Sequence, residues 1–319
     1  VWREFTKSRM STACLIFIGL LFTVATLSPF LANDKPYWIV IDGQLRFPLF
    51  RDLQANDYCV FLATIIGIVQ LFLIRRNRRN IDPSIRGGVL WRQICINASI
   101  VLLGIILIYA FMPDRLDAVD YKAMVQSKKA SHAVFAPVPY GYARTSLEER
   151  EQPPSRKHWL GTDDVGSDVL CRLIHGSRIS LSVGFVAVGI STLLGIFFGA
   201  FLGYFGGRVD FIGMRIVEIM MAIPTFFLII TIVAFFPRSL FNIMFIIGIT
   251  SWTGDARFIR AEFLKLRKQD FVQAAQSLGL PLKSILFRHM LPNGIAPVMV
   301  NATFGIAEAI FIEAALSFL

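Results

Sequence analysis

Seven long apolar segments constrain this chain more than any other feature of its sequence. A helix that crosses a membrane needs ~20 mostly apolar residues, and these segments reach or nearly reach that length: 11–32, 57–74, 93–112, 178–205, 213–236, 240–259 and 294–319. Hydrophobic residues make up 55% of the chain and charged residues only 17%, which is typical of multi-pass membrane proteins. We therefore predict an all-α fold, a polytopic transmembrane helical bundle of about seven spans.

Basic residues near the ends of the apolar segments predict how the bundle is oriented, because Lys and Arg favour the cytoplasmic side of a membrane. Basic side chains precede the first segment, so we expect the N-terminus in the cytoplasm. Counting spans from there places 75–92 and 260–293 inside and 113–177 outside. Both inner stretches are rich in Arg and Lys, so the two arguments agree.

The net charge of +10 follows mostly from this topology. The basic run at 75–79 lies between two apolar segments, where it suits anionic lipid headgroups. We expect membrane lipid as a partner of the chain, and no nucleic acid.

The spacing of the apolar segments predicts three regions. They are an N-terminal transmembrane region (1–112), an external segment (113–177) and a transmembrane core (178–319) with a cytoplasmic loop at 260–293. The chain starts at Val1 and stops at Leu319 inside an apolar segment. We expect a further span and a cytoplasmic tail beyond Leu319.

The polar stretch from Asp270 to Pro292 separates the last two apolar segments and has a helical pattern. Asp270 can cap a helix, and Gln273 three residues later completes a capping box. The side chains Phe271, Ala274, Ala275 and Leu278 share one predicted helical face. This pattern predicts a short amphipathic helix that presents an apolar face to a soluble partner.

A second helix is predicted to follow at a sharp angle. Gly279 suits the left-handed position that ends a helix, and Pro281 suits the first position of the next one. Pro292 is expected to end the helical pattern.

The same stretch resembles the cytoplasmic coupling loop of ABC importer permeases, which carries Glu-Ala-Ala followed at fixed spacing by Gly, Ile and Leu-Pro. In this chain Gln273 replaces the acid and His289 replaces the isoleucine. The resemblance implies a segment that docks on separate ATPase subunits, with these coupling residues: Asp270, Gln273, Ala274, Ala275, Gly279, Leu291 and Pro292.

Further stretches, at 158–184, 203–229 and 291–319, resemble dipeptide and oligopeptide ABC permeases, and 17–50 resembles the branch that imports peptides and microcin C. The resemblance implies the type I importer permease fold in a bacterial inner membrane. It also implies a second, related permease subunit, cytoplasmic ATP-binding subunits that hold ATP and Mg, and a periplasmic solute-binding protein. No cofactor is expected on this chain, and no activity as an enzyme.

The family usually has a single span before the external segment, whereas this chain has two more, 57–74 and 93–112. Because two extra spans return the chain to the side of the membrane from which it started, every later segment keeps its predicted side. We expect this extra pair to be peripheral to the core.

Three residues inside apolar segments are candidates for the translocation path, because charges and prolines there are costly and often functional. They are Glu308, Glu313 and Pro224. Pro224 is also expected to kink its span. On an ideal helix the two glutamates point about 140° apart, so we expect that they do not face one narrow path. Arg215 and Glu218 are expected to form a local ion pair.

The function predicted from these observations is import of di- or oligopeptides, or of peptide-like compounds, driven by ATP. Three alternatives remain open at this point. The first is import of another solute, such as nickel, by the same machinery, and the second is a secondary transporter driven by an ion gradient. A third alternative is a membrane scaffold without transport activity.

Overall fold

A computed structural model describes residues 8–41, 43–51, 53–80, 83–111, 119–127, 130–237 and 239–318. Helices account for most of these residues, which confirms the predicted helical membrane fold. The chain divides into two compact units, Val1–Arg178 and Ile179–Leu319. The three regions proposed from the sequence stay a prediction, and the first unit extends across two of them.

The first unit is built mainly on helices. They are α1 (Arg9–Thr26), α2 (Ser28–Leu31), α3 (Pro48–Arg51), α4 (Ala55–Asn80), α5 (Pro83–Phe111), α6 (Tyr121–Gln126) and the start of α7 (Val169–Phe205). Leu147–Glu149 forms a 3₁₀ turn.

A small antiparallel sheet, absent from our prediction, joins two distant parts of this unit. It consists of β1 (Trp38–Ile41), β2 (Gln44–Arg46) and β3 (Ala130–Val134), in the order β2-β1-β3. The sequence does carry a signal for the hairpin, since β-branched residues precede an Asp-Gly dipeptide. The pairing with β3 joins residues about 90 positions apart, and no local pattern predicts it.

Amide side chains connect α4 and α5, the extra pair of helices. Asn77 Nδ2 donates to Gln93 Oε1 at 2.7 Å, and Asn97 donates to Gln70 Oε1. Hydrogen bonds between polar side chains help to hold helices together in a membrane, where the hydrophobic effect gives little attraction between them. The two amide pairs therefore fix the register of this hairpin.

The first turns of α7 hold three other segments of the first unit through one helical face. Cys171 Sγ donates to the carbonyl of Tyr140 at 2.9 Å, His175 Nε2 lies 2.8 Å from the carbonyl of Ala32, and Arg178 forms an ion pair with Asp57. Because Asp57 belongs to α4, the extra pair of helices is anchored to α7. That the pair is peripheral to the core stays a prediction.

A polar cluster before α7 orders the segment that leads into this helix. His158 Nδ1 lies 2.8 Å from Asp168 Oδ2, and Asp168 Oδ1 accepts the backbone N–H of Cys171 at 2.8 Å, which caps α7. A hydrogen bond from Lys157 holds the pKa of Glu149 below its usual value, although burial opposes this. Glu149 therefore stabilises the folded segment at neutral pH, and this contribution is lost as the pH falls through the lowered pKa.

The second unit continues α7 and adds further helices. They are α8 (Gly207–Ala222), α9 (Thr225–Phe235), α10 (Leu240–Leu266), α11 (Asp270–Ser277), α12 (Leu282–Ser284), α13 (Leu291–Gly294) and α14 (Ala296–Phe318). A π-helical turn, Ile285–Met290, joins α12 to α13.

Four helices in the described part of the chain are long and apolar enough to cross a membrane: α1, α4 over Ala55–Asn77, α7 and α14. The bent pair α8 and α9 makes a fifth if it forms one span. The predicted span 240–259 lies within α10, and the described residues of the predicted span 93–112 lie within α5. In their described residues, neither helix is among those long and apolar enough to cross a membrane. The total of seven spans stays a prediction.

The predicted kink at Pro224 is confirmed as a sharp break, since α8 and α9 meet at 82°. Pro224 itself caps α9 and has no N–H to continue the ladder of hydrogen bonds. Ile223 before it is extended, with φ −86° and ψ 123°, as the residue before a proline prefers.

Three glycines on α7 allow it to pack closely against α10. A Cβ on Gly195 would lie 2.3 Å from Asp255 Cβ, one on Gly199 would lie 2.5 Å from the carbonyl oxygen of Ala256, and one on Gly203 would lie 2.6 Å from Phe263 Cβ. Small residues at this spacing let helix backbones approach each other in membranes. The contact between α7 and α10 therefore depends on the lack of side chains at these positions.

We expect Gly199→Val to destabilise the protein by about 1–3 kcal/mol, because its Cβ would clash with backbone on α10. Gly189→Val is the matched control, since it lies on the same helix and has nothing within 4 Å of its Cβ position. Thermal unfolding in detergent measures the difference. Equal melting temperatures of the two variants would contradict this account of the interface.

Candidate functional site

The 270–292 segment forms a helix, a tight turn and a second helical stretch. Helix α11 ends in a Schellman motif, in which Gly279 N–H donates to the carbonyl of Gln276 at 2.9 Å and Leu280 N–H donates to the carbonyl of Ala275 at 3.2 Å. Gly279 has a φ of +69°, so the predicted left-handed position is confirmed. A Cβ at this position would have no other atom within 4 Å. Glycine is therefore favoured because of the positive φ and not because of steric crowding.

The predicted capping box at the start of α11 is wrong. Gln269 is the N-cap, with φ −79° and ψ 146°, and its carbonyl accepts the N–H groups of Val272 and Gln273. Asp270 is already helical and makes no capping hydrogen bond, although its charge still suits the first turn. Gln273 Nε2 instead donates to the carbonyl of Lys268 at 3.2 Å.

The two prolines of the segment also differ from expectation. Pro281 is the N-cap of α12 and not its first helical residue. Pro292 does not end the pattern, because the helical stretch continues through it to Gly294. The turn before Pro292 widens into a π-helix, with Leu291 N–H bonded to the carbonyl of Leu286, and such a turn relieves the conflict between a proline and the preceding carbonyls.

Helix α11 has two different apolar faces, where one had been predicted. Val272 and Ala275 are buried, at 0% and 4% exposure. Phe271, Ala274 and Leu278 are exposed on the other side, and Leu278 reaches 78%. We call these three residues the outer face. The prediction that Ala275 lies on the partner-facing side is wrong, because an amphipathic pattern alone does not show which of two adjacent apolar positions faces the chain's own core.

The buried side of the segment packs on the helices that flank it in sequence. Val272 and Ala275 join Ile285, Leu286 and Met290 in one core. That core also contains these residues of the longer helices: Ala200, Ile259, Phe263, Leu266 and Val298. Leu291, another predicted coupling residue, is partly buried against the same core. The segment, the end of α10, the start of α14 and α7 at Ala200 therefore share one hydrophobic core.

A buried carboxylate on α10, which is not among the predicted site residues, connects three helices of the second unit. Asp255 is 2% exposed and accepts hydrogen bonds from Thr192 Oγ1 at 2.9 Å, Ser191 Oγ at 3.3 Å and Asn301 Nδ2 at 2.7 Å. All three donors are neutral groups on α7 or α14. A carboxylate within an apolar segment is itself a signal of function, and that signal was present in the sequence.

Glu308 lies beside this cluster. A cavity of about 50 Å³ is lined by Glu308 together with Asp255, Asn301, Ser251 and Ser191. Its size is enough for a water molecule. The structure therefore brings Glu308 next to a polar group on another helix, and its surroundings are less apolar than the sequence suggests.

Two other candidates for the translocation path lie elsewhere. Glu313 is 8% exposed and accepts a hydrogen bond from Ser317 Oγ at 2.7 Å, and it is not among the described residues that line the cavity with Glu308. Pro224 lies at the break between α8 and α9. On α8 the predicted local ion pair is confirmed, with Arg215 Nη1 2.6 Å from Glu218 Oε2.

Comparison with known proteins identifies a protein family whose model matches part of this chain. The model of the family described as binding-protein-dependent transport system inner membrane component matches residues 195–319. The oligopeptide transport system permease protein OppC of Bacillus subtilis is 40% identical over 189 residues, which is 59% of this chain and 62% of that protein. The match therefore spans less than two thirds of this relative.

Two relatives match along the whole chain, including the extra pair of helices. The inner membrane ABC transporter permease protein YejE of Escherichia coli is 30% identical over 318 residues, covering 100% of this chain and 80% of its own length. The peptidoglycan transport system permease protein YejE of Agrobacterium fabrum is 28% identical over 318 residues, covering 100% and 77%. This chain is a multi-pass membrane protein that belongs to the binding-protein-dependent family of ABC transporter permeases.

Proposed function

We propose that this chain is a permease subunit of an ATP-driven importer that moves peptides or peptide-like compounds across a bacterial inner membrane. The observation that carries the proposal is the outer face of α11, an exposed apolar surface on a segment that shares its core with three long helices, α7, α10 and α14. ATPase subunits that push on this surface would move α10 and α14 with it. Relatives that are named for oligopeptide and dipeptide transport support a peptide as the cargo.

The partners that we propose follow from the family. They are a second, related permease subunit, cytoplasmic subunits that bind ATP and Mg, and a periplasmic solute-binding protein. The N-terminus and the 260–293 loop are proposed to lie in the cytoplasm, because both are flanked by basic residues.

Uptake of a labelled peptide library tests this proposal in cells with and without the gene. We expect uptake that requires the gene and stops when ATP is depleted. Uptake that survives ATP depletion but stops with an ionophore would favour an ion-driven transporter. Uptake of nickel without uptake of any peptide would assign the same machinery to another solute.

A narrower cargo class is suggested by the whole-length relative that is named for peptidoglycan transport. Cell-wall fragments carry short peptides, so they are peptide-like compounds in the sense of the proposal. Competition between labelled linear peptides and peptidoglycan fragments measures the preference directly.

We propose that Glu308 meets the cationic amine of the peptide, because it lines a polar cavity within the second unit. Glu308→Gln is expected to weaken uptake of peptides with a free N-terminus, since it removes the charge that attracts the amine. Uptake of the same peptides with an acetylated N-terminus should change little. Glu218→Gln is the matched control, because Glu218 pairs with Arg215 outside the cavity.

Equal losses of uptake for the free and the acetylated peptides would remove Glu308 from amine recognition. ATP hydrolysis by the assembled importer is measured in parallel. It should persist in Glu308→Gln, because the substitution lies away from the 270–292 segment.

A further inference from the structure

A second cavity, of about 630 Å³, lies between the end of α7 and α11. Its polar lining consists of two cations, two amides and two hydroxyls: Arg267, Lys268, Gln273, Gln276, Tyr204 and Ser277. No carboxylate is among the described residues that line it. The cavity therefore has the chemistry of an anion site.

Several of these groups are held in place by the chain itself. Arg267 Nη1 donates to the carbonyls of Tyr204 and Phe205 at 3.2 and 3.3 Å, and Gln276 Nε2 donates to the Tyr204 hydroxyl at 3.2 Å. Arg267 thereby neutralises the negative end of α7. In the described structure the Lys268 ammonium has no ion pair with a carboxylate, so its charge is available to a ligand.

An apolar surface continues from this cavity along α7. Phe205 lines the cavity, and its ring lies 4.7 Å from that of Phe201, centroid to centroid. The two side chains are 43% and 45% exposed. A cationic pocket at the end of a spanning helix, next to exposed aromatic rings on that helix, fits an amphiphile with an anionic head.

We propose that this cavity binds the phosphate headgroup of an anionic phospholipid, whose acyl chains lie against Phe201 and Phe205. Basic pockets at the cytoplasmic side of membrane helices bind such headgroups, and basic side chains near an anionic surface favour them. The headgroup bridges the end of α7 and the helix that carries the outer face. Anionic lipid would thus stabilise the arrangement in which α11 meets its partner.

The test uses the assembled importer in phosphatidylcholine nanodiscs that contain increasing amounts of phosphatidylglycerol, with native mass spectrometry of the released complex as the readout. Lys268→Gln is expected to weaken retention of phosphatidylglycerol by about fivefold, which corresponds to ~1 kcal/mol per basic side chain. Lys265→Gln is the matched control. It removes the same charge from an exposed position nearby, outside the cavity.

Equal retention by the two variants would overturn the proposal, because the lipid would then sense only the overall charge. Inorganic phosphate should not displace the lipid, and displacement would mean a general phosphate site. An acidic side chain of an ATPase subunit is the competing occupant. In that case Lys268→Gln would release the ATPase subunits and leave lipid retention unchanged, which also overturns the assignment. Lipid retention needs no transport, so this result is independent of the peptide proposal.

Discussion

Replacing Ala274 by tryptophan is expected to abolish ATP-driven uptake and leave the thermal stability of the permease nearly unchanged. Ala274 lies on the outer face of α11 between Phe271 and Leu278, so a large side chain there meets solvent within this chain but fills the surface proposed to dock on an ATPase subunit. The expected loss is of docking, seen as release of the ATPase subunits during purification.

The neighbouring substitution, Ala275→Trp, is expected to act in the opposite way. Ala275 is 4% exposed, inside the core that the segment shares with α10 and α14. A tryptophan there overfills the core and should cost about 1–3 kcal/mol or more. The melting temperature of the permease alone should fall before any ATPase subunit is added.

The pair is informative because the two alanines are adjacent and receive the same side chain. Thermal unfolding of the isolated permease and uptake by the assembled importer are measured for both variants. Full ATP-driven uptake by Ala274→Trp would mean that the outer face does not dock on an ATPase. An unchanged melting temperature for Ala275→Trp would contradict the buried position of that residue.

Replacing Asp255 by alanine is expected to loosen the second unit and to abolish transport with it. The substitution removes the acceptor shared by Thr192, Ser191 and Asn301. Leaving buried donors without a partner costs about 1–3 kcal/mol for each group, although hydrogen bonds between membrane helices often contribute less, about 0.6 kcal/mol on average. Unfolding in increasing denaturant measures the loss.

Exchanging the two groups provides the control. Asp255→Asn alone keeps an oxygen that can accept from a hydroxyl, so it should be milder than the alanine variant. In the double variant Asp255→Asn with Asn301→Asp, the carboxylate and the amide trade helices and the pair can form again. Recovery of stability in the double variant, beyond that of Asn301→Asp alone, is the expected result. No recovery would mean that the contact does not hold α10 to α14.

Much of the fold was predictable because each prediction depended on residues close together in the chain. Runs of apolar residues indicate spanning helices wherever they occur, since the bilayer sets their length. Gly279 and Pro224 act through the backbone of their own turn, so their effects appeared where expected. The Arg215–Glu218 pair lies on one turn of α8 and needed no knowledge of other helices.

The predictions failed where one helix had to be placed against another. The sequence of α11 shows apolar residues but does not distinguish Ala275, which meets the core, from Ala274, which does not, because that depends on where α10 and the π-helical turn lie. The capping box at Asp270 failed for a smaller reason, a shift of one residue in the start of the helix.

By itself the sequence determined that this protein is a helical membrane protein with a polar segment between its last two apolar stretches, because hydrophobic length, charge and turn residues act locally. Only the tertiary structure decided which side of that segment is free, that Asp255 connects three helices, and that Arg178 ties the extra pair of helices to α7. Each of these depends on side chains brought together from distant positions, and their partners are set by the packing of whole helices.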